Sequence, residues 1–167
     1  FYMPERFGAQ LLWSAGGYVE YRFPNRLPKT ASPRSISFSM EICSEVANYR
    51  EGWKSEITLW INGKECGTFL SPGDFGARRG RYTPKVWESG SSQYGLLVRW
   101  SVLQNGCYIN EERVGDVTLD DLNIMKGGAI VLRIGNKEDA RYIGGFNIFG
   151  EKYGDYPQNI VMDLEYR

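Results

Sequence analysis

The sequence of 167 residues predicts an all-β domain, a jelly-roll β-sandwich of two antiparallel sheets with little helix. Apolar and polar residues alternate with the two-residue period of a strand in roughly eight to ten short segments. Twenty glycines and two Asn-Gly pairs lie mainly between these segments, as expected for tight turns. No segment shows the longer period of an amphipathic helix.

The predicted strands follow one another along the whole chain. The fold begins at residues 11–13, and Gly16-Gly17 then makes a turn into the first alternating segment. Residues 36–46 alternate most regularly, with Ile36, Phe38 and Met40 on one face, so this strand is predicted to be half buried. In order, the predicted strands are residues 18–23, 36–46, 56–61, 65–70, 96–103, 107–110, 129–134, 144–150 and 160–166.

Two Asn-Gly pairs predict tight hairpins. Asn62-Gly63 lies between two alternating segments, and Asn105-Gly106 does the same further along the chain. Both residue types tolerate the positive φ angles of a type I′ turn, so the chain should reverse there. In the acidic segment that follows, residues 118–122 are predicted to form a short turn with Thr118 as its cap.

Length and composition favour one domain. A chain of 167 residues can bury a sizeable core. Residues 11–167 are predicted to form a single β-sandwich domain. Residues 1–10 are interpreted as a linker from a missing N-terminal region, because the sequence starts at Phe1 and not at Met. No run of ~20 apolar residues could cross a bilayer, so no membrane contact is expected.

The charge balance and the residue types exclude several function classes. With 20 basic and 20 acidic residues the net charge is zero, which removes the electrostatic signature of a nucleic-acid-binding domain. Histidine is absent, which excludes Ser-His-Asp catalysis and a His-ligated zinc site. Carboxylates are abundant, but none lies in a recognisable acid/base arrangement. We therefore expect a non-enzymatic protein without cofactor or metal.

The three cysteines, Cys43, Cys66 and Cys107, are widely spaced and form no Cys-x-x-Cys pair. Two of them lie in strand-like segments, which favours buried free thiols in a reducing cytoplasm. One disulfide with a leftover thiol is the alternative, and it would favour a secreted protein.

The first candidate site is the Arg-rich loop, residues 71–91. It is too long and polar for an ordinary connection, and loops of this length are usually functional or disordered. Arginine forks and aromatic faces suit an anionic or hydroxyl-rich ligand. Gly73, Gly76 and Gly80 would let the backbone bend around that ligand. The candidate ligand-binding residues are Asp74, Arg78, Arg79, Arg81, Tyr82 and Trp87, with Gln93 and Tyr94 behind them.

The alternative is that this loop is structural. Trp87 and Tyr82 would then cover the edge of the core, and the arginines would pair with Asp74 and Glu88. Replacing Trp87 by Ala distinguishes the two interpretations, because the domain would unfold only if Trp87 belongs to the core.

Two further candidates rest on fewer residues. Tyr49 and Trp53, with Trp60 on the polar face of its strand, could form an aromatic platform that binds sugars, although such rings more often pack beneath a loop. Glu41 and Asp163 stand at solvent-facing strand positions and could contribute to a cation site. Calcium requires about six to eight oxygens, so solvated strand faces are the alternative.

Several segments together resemble a galactose-binding-like jelly roll. They are residues 18–23, ISFSMEIC, EITLWINGKECGTF, AIVLRIGN, GGFNIFG and the closing strand at 160–166. Such domains often carry an inner strand that leads into an Asn-Gly hairpin, and a late glycine-bounded strand before the final one. The resemblance covers nearly the whole chain and implies a β-sandwich.

A closer resemblance concerns SPGDFG-x-RRG-x-YTPKVW followed by QYGLLVRWSV. These segments are similar to the C-terminal effector-type domain of ArsR-like winged-helix transcriptional regulators of Gram-positive bacteria. In that family an N-terminal winged helix binds DNA, and the β-rich C-terminal domain is thought to sense a ligand. The resemblance implies a cytoplasmic protein whose DNA-binding part lies upstream of Phe1.

The leading hypothesis is therefore a ligand-sensing, regulatory C-terminal domain of a bacterial transcriptional regulator, with a small polar effector such as a saccharide. A carbohydrate-binding module of a larger glycoside hydrolase is the first alternative. A dimerisation or interaction domain without a ligand is the second, and a homodimer is a further option for the assembly. The residues upstream of Phe1 would separate the first two, since a winged helix supports the sensor and a catalytic domain supports the module.

Overall fold

The structure, a computed structural model, describes residues 8–124 and 128–167. The predicted linker, residues 1–10, lies mostly outside the described residues. Gln10 already contacts the fold, because its carbonyl accepts a hydrogen bond from Gly150 N at 2.7 Å. The strands are β1 (Leu11–Ser14), β2 (Tyr18–Pro24), β3 (Pro33–Cys43), β4 (Ser55–Ile61), β5 (Lys64–Ser71), β6 (Leu96–Leu103), β7 (Gly106–Ile109), β8 (Glu112–Gly115), β9 (Ala129–Gly135), β10 (Phe146–Phe149) and β11 (Val161–Tyr166).

The strands form two antiparallel sheets that pack face to face. The larger sheet has the order β1-β10-β3-β6-β7-β8, with β11 also paired to β3, and the smaller sheet has the order β2-β9-β4-β5. Pairing is nested, because β1 meets β10, β2 meets β9, and β4 meets β5. This is the strand order of a jelly roll. The predicted all-β sandwich with two antiparallel sheets is therefore confirmed.

Both predicted hairpins are present. Asn62 and Gly63, between β4 and β5, have φ angles of 49° and 81°, the positive values that a type I′ turn requires. β6 and β7 form the second hairpin around Asn105, with Val102 opposite Cys107. Local turn chemistry was sufficient to locate both reversals.

The core lies between the two sheets and consists of the inward-facing side chains of alternating strand positions. Burying an aliphatic or aromatic side chain of this size contributes about 1.5–3 kcal/mol, so these residues dominate the stability of the domain. Those with none of their surface exposed include Ile36, Phe38, Met40, Ile42, Ile57, Leu59, Ile61, Val98, Trp100 and Val102.

The prediction of a half-buried strand at residues 36–46 is wrong in both extent and burial. β3 ends at Cys43, and its outward-facing Glu41 and Cys43 are fully buried. The connection between β5 and β6, residues 72–95, and the segment 150–160 lie over this end of the larger sheet. Gly95 N and Asp155 N from these two segments both donate to the Glu41 carboxylate, each at 2.8 Å.

The acidic segment after β7 differs from its prediction in detail. Thr118 does not cap the turn. The 3₁₀ helix spans Asp120–Leu122, and the Asp121 carboxylate accepts hydrogen bonds from Thr118 N at 2.9 Å and Thr118 Oγ1 at 2.8 Å. The same segment contains β8, which pairs with β7 and was not predicted.

The three cysteines are buried and carry free thiols, as predicted. Burial raises the pKa of the Cys66 thiol to about 12 and that of the Cys43 thiol well above its ordinary value. These thiols are therefore protonated at neutral pH and shielded from oxidants. Within residues 8–124 and 128–167 no helix is long and apolar enough to cross a membrane.

Candidate functional site

Asp74, predicted to bind a ligand, is a buried anchor of the Arg-rich loop. None of its surface is exposed, and its carboxylate accepts a hydrogen bond from Val46 N at 3.0 Å and lies 3.8 Å from Cys43 Sγ. Burial raises the pKa of Asp74 to about 6, although its hydrogen bonds act in the opposite direction. The side chain ties the loop to the chain that leaves β3, and it does not face solvent.

Arg78 is held by protein groups on two sides. Its guanidinium makes paired hydrogen bonds to Asp155 at 2.5 and 3.0 Å, and its Cζ lies 3.7 Å from the centre of the Tyr94 ring. The hydrogen bonds from Arg78 hold the pKa of Asp155 below its ordinary value. The acidic partner of Arg78 is thus Asp155, from the segment before β11, and neither of the two predicted partners within the loop.

Arg79 and Trp87 make contacts within the Arg-rich loop and with neighbouring segments. Both terminal nitrogens of Arg79 donate to the Trp87 carbonyl oxygen at 3.2 Å, and Trp87 Nε1 donates to Ser92 O at 2.9 Å. The Trp87 ring is half buried, with its centre 5.5 Å from that of Tyr153 and 6.2 Å from that of Trp13. A ligand at Arg79 would have to compete with these internal acceptors.

The glycines of the loop approach other parts of the protein. A Cβ at Gly73 would collide with the backbone of Glu51, and one at Gly76 would collide with the Tyr49 ring. Gly80 likewise has a backbone carbonyl in the space that a Cβ would need. These three glycines therefore let the loop pack closely on the fold, which explains their presence without a ligand.

Arg81 and Tyr82 have exposed side chains at this surface, as do Arg78 and Arg79. Their backbone is nevertheless fixed, since Arg81 N donates to Asp155 at 2.9 Å and Tyr82 N donates to Gly154 O at 2.8 Å. The assignment of ligand binding to these two side chains stays a prediction.

The three aromatic residues of the second candidate have separate surroundings. Tyr49 is half buried against Gly76, and Trp60 lies on the outer face of the smaller sheet, opposite Glu65 and Arg133. Trp53 lines a groove on another part of the surface. The aromatic platform of these three residues is thus not assembled, but Trp53 belongs to a different aromatic site.

The two carboxylates of the third candidate also have separate surroundings. Glu41 is not solvent-facing: its carboxylate accepts hydrogen bonds from three backbone N–H groups, and burial raises its pKa. Asp163 is exposed and pairs with Arg99 at 3.6 Å. Among the described residues no group of three or more His, Cys, Asp or Glu side chains could hold a metal ion.

A groove of about 480 Å³ lies where β1 ends and β3 has just ended. Trp13 and Trp53 supply its aromatic surface, with 57% and 36% of their surface exposed. Glu45 also lines the groove. Its lining residues are Trp13, Ser14, Ala15, Glu45, Val46, Ala47, Trp53, Ile143 and Gly144.

Local backbone pairing positions the walls of this groove. Trp13 points away from the core because it occupies the outward position of the edge strand β1, opposite Asn147 of β10. Glu45 N donates to Gly144 O at 2.8 Å, which holds the chain after β3 against the chain before β10. Gly144 leaves no room for a Cβ beside Lys54, so the neighbouring Trp53 is brought close to the groove.

The Glu45 carboxylate is oriented by two buried polar side chains. Asn147 Nδ2 donates to its Oε2 at 2.6 Å, and Ser92 Oγ donates to the same oxygen at 3.3 Å. Oε1 accepts no hydrogen bond from the described residues. The carboxylate can therefore accept a hydrogen bond from a ligand without breaking its own support.

A larger cavity of about 680 Å³ lies at the other end of β3. Its lining contains Arg34, Asn105, Asp120 and Arg167. Among the described residues no aromatic side chain lines it. A hydroxyl-rich ligand is better matched by the aromatic groove, because sugar rings pack their C–H faces on indole rings.

Sequence reasoning identified Trp53 but missed Trp13, Glu45 and Ile143. The one local signal in the sequence was Trp13. This large side chain lies on the face of a short strand opposite to that of its neighbour Leu12. Comparisons of the chain with protein-family models, with curated proteins and with solved structures found no match. The site is therefore interpreted from its own geometry.

Proposed function

We propose that this domain is a non-enzymatic ligand-sensing module that binds a small hydroxyl-rich molecule, a saccharide, between Trp13 and Trp53. The observation that carries the proposal is the presence of two exposed indole rings and one oriented carboxylate in the same groove. The rings offer apolar faces, and Glu45 accepts hydrogen bonds from hydroxyl groups. A few polar groups among apolar walls are typical of small-molecule sites.

We infer that the module is the C-terminal regulatory domain of a cytoplasmic bacterial transcriptional regulator. The resemblance of the Arg-rich loop to the effector-type domains of ArsR-like regulators supports this context. The zero net charge fits a domain that leaves DNA binding to a separate winged helix. Three buried free thiols fit a reducing compartment.

A carbohydrate-binding module of a larger enzyme is the second candidate. The aromatic groove favours it as much as it favours the sensor, but the three free cysteines favour a cytoplasmic protein. A winged helix in the same polypeptide would favour the sensor, and a catalytic domain would favour the module.

In this proposal the Arg-rich loop supports the site and connects it to the rest of the molecule. Trp87 of the loop contacts Trp13, which lines the groove. Asp74 anchors the loop next to Val46, which also lines the groove. A ligand that moves the Trp13 ring would therefore act directly on the loop, and such a contact is what a sensor needs.

The test is a binding titration of neutral mono- and oligosaccharides against three tryptophan variants, followed by calorimetry or by NMR shifts. Trp13→Ala and Trp53→Ala should each weaken binding by about tenfold or more, because the loss of an aromatic contact costs roughly 1.5 kcal/mol. Trp60→Ala, on the smaller sheet, is the matched control and should bind like wild type. Unchanged affinity in both groove variants would refute the site.

A further inference from the structure

Glu45 is the one ionisable side chain among the described residues that line the groove. Its Oε2 accepts hydrogen bonds from Asn147 and Ser92, so among the described residues Oε1 is the oxygen left to accept one from a ligand. Asp74, in the buried cluster behind Glu45, is a second acid and adds no positive charge. Among the described residues, the lining of the groove therefore carries one acidic and no basic side chain beside its two indole rings.

The aromatic walls of the groove also suit a cation. An indole ring attracts a positive charge over its face, by about 0.5–1 kcal/mol when exposed and ~2 kcal/mol or more when desolvated. The Trp53 ring already has such a neighbour, since Arg50 Cζ lies 5.5 Å from its centre. Arg50 does not line the groove, and Trp13 has no cation of this kind among the described residues.

We propose that the groove selects a hydroxyl-rich ligand with a protonated amino group, that is, an amino sugar. The inference rests on the proposed saccharide site and names its ligand class. An ammonium group gains both a charge-assisted hydrogen bond to Glu45 Oε1 and an indole face, whereas a neutral hydroxyl gains only an ordinary hydrogen bond. The sugar ring and its remaining hydroxyls use the other indole and the backbone of the groove.

The test compares glucosamine, glucose and N-acetylglucosamine, which share a ring and differ at one substituent. Calorimetry is done at low salt and slightly acidic pH, where the amine is protonated. Glucosamine should bind about tenfold more tightly than the other two, a ratio that corresponds to ~1.4 kcal/mol, because it gains a charge-assisted hydrogen bond and a cation–π contact together. Added salt should reduce this preference.

Glu45→Gln is the matched variant. Its amide oxygen can still accept from Asn147, and its NH₂ group then replaces the acceptor that faces the groove. The preference for glucosamine should disappear, because glucosamine loses a charge-assisted hydrogen bond in this variant whereas glucose loses an ordinary one. Should the variant fail to fold, the comparison of glucosamine with N-acetylglucosamine on wild type still decides.

Three results would overturn the proposal in different ways. If glucose binds as tightly as glucosamine and Trp13→Ala weakens both, the saccharide site stands and the selection of a cation is wrong. If none of the sugars binds, both the site and the selection are wrong. A preference for glucosamine that survives in Glu45→Gln also refutes the role of Glu45.

Discussion

The fold shifts the pKa values of two carboxylates in opposite directions. They are Asp74, in the β5–β6 connection, and Asp155, in the segment before β11. Asp74 is buried beside Val46, and burial raises its pKa to about 6. Asp155 is paired with Arg78, and the hydrogen bonds from Arg78 hold its pKa below the ordinary value. Both residues look like surface acids in the sequence. Their environments come from segments far away along the chain, so neither direction could be predicted locally.

Asp74→Asn should become more stable relative to wild type as the pH rises. The folded state binds the Asp74 proton more tightly than the unfolded chain does, so the wild type loses stability between the ordinary pKa of 3.8 and about 6. Asn has no proton to lose. Urea unfolding at several pH values should show the free energy of unfolding shifting in favour of the variant by on the order of 2–3 kcal/mol across this window. A pH-independent difference would contradict the buried carboxylate.

Asp155→Asn is the counterpart with the opposite sign. The lowered pKa of Asp155 contributes stability that is present above its ordinary pKa of 3.8 and is lost as the pH falls below that value. The variant should therefore be less stable than wild type at neutral pH by about 1 kcal/mol, because the Arg78 pair is partly exposed. The difference should shrink in acid. The same urea titrations measure it.

At the scale of elements, one strand position joins three segments. Glu41 on β3 accepts backbone hydrogen bonds from Gly95, Asp155 and Tyr156, and thereby holds the β5–β6 connection and the segment before β11 on the sheet. Alternation along β3 places Glu41 on the outer face, and that part of the prediction is correct. The cover over that face comes from other segments, and it turns a predicted surface carboxylate into a buried anchor.

Glu41→Ala should loosen the two segments, residues 72–95 and 150–160, that lie over the larger sheet. It removes the acceptor of three backbone N–H groups, one of which, Gly95 N, is buried. Leaving such donors unpaired costs about 1–3 kcal/mol each, so a loss of roughly 2–4 kcal/mol is expected in urea unfolding. Glu165→Ala, an exposed carboxylate facing outward on the same sheet, should change stability by less than about 0.5 kcal/mol. Equal effects of the two substitutions would contradict the anchoring role.

The β4–β5 hairpin offers a second element-scale test. Gly63 has a φ of 81° with no atom near its missing Cβ, so Gly63→Ala changes only backbone strain. The variant should lose about 1–2 kcal/mol of stability, the cost of the left-handed conformation for an L-residue. Gly52 also has open space but no positive φ, so Gly52→Ala is the matched control and should be neutral. Thermal melts of both variants decide.

At the scale of the whole molecule, the jelly roll joins residues that are distant in sequence. β1 pairs with β10 and β2 with β9, so strands from the two ends of the described chain lie side by side. The candidate groove forms between such segments, since Trp13 and Ile143 both line it. The site therefore exists only in the completed fold.

The thiols report on this completed fold. A thiol reagent should react slowly with the native protein, because Cys43, Cys66 and Cys107 are buried, and should count three free thiols after denaturation without reductant. A count of one thiol would indicate a disulfide and favour a secreted module.

Far-ultraviolet circular dichroism should be dominated by strand, with helix well below the ~30% typical of globular domains.

Local physics accounts for what the sequence alone could establish. The alternation of residues 36–43 follows from side chains pointing to opposite faces of a strand, and Asn62-Gly63 turns because both residues tolerate positive φ. These are properties of neighbouring residues, so most of the strands, both hairpins and the sandwich class were predictable. The absence of His likewise excluded Ser-His-Asp catalysis and a His-ligated zinc site from the sequence alone.

Only the tertiary structure decided burial and the site. Glu41 and Asp74 carry the same charge as any surface acid, but the desolvation that raises their pKa values comes from segments that fold over them. The Arg-rich loop looked like a ligand site because it is long and polar and combines arginines with aromatic residues, and the observed partner of Arg78, Asp155, lies 77 residues further along the chain. Trp13 and Trp53 likewise line the same groove only because nested strand pairing brings their segments together. Contacts of this kind depend on chain closure over long sequence distances, which no local pattern records.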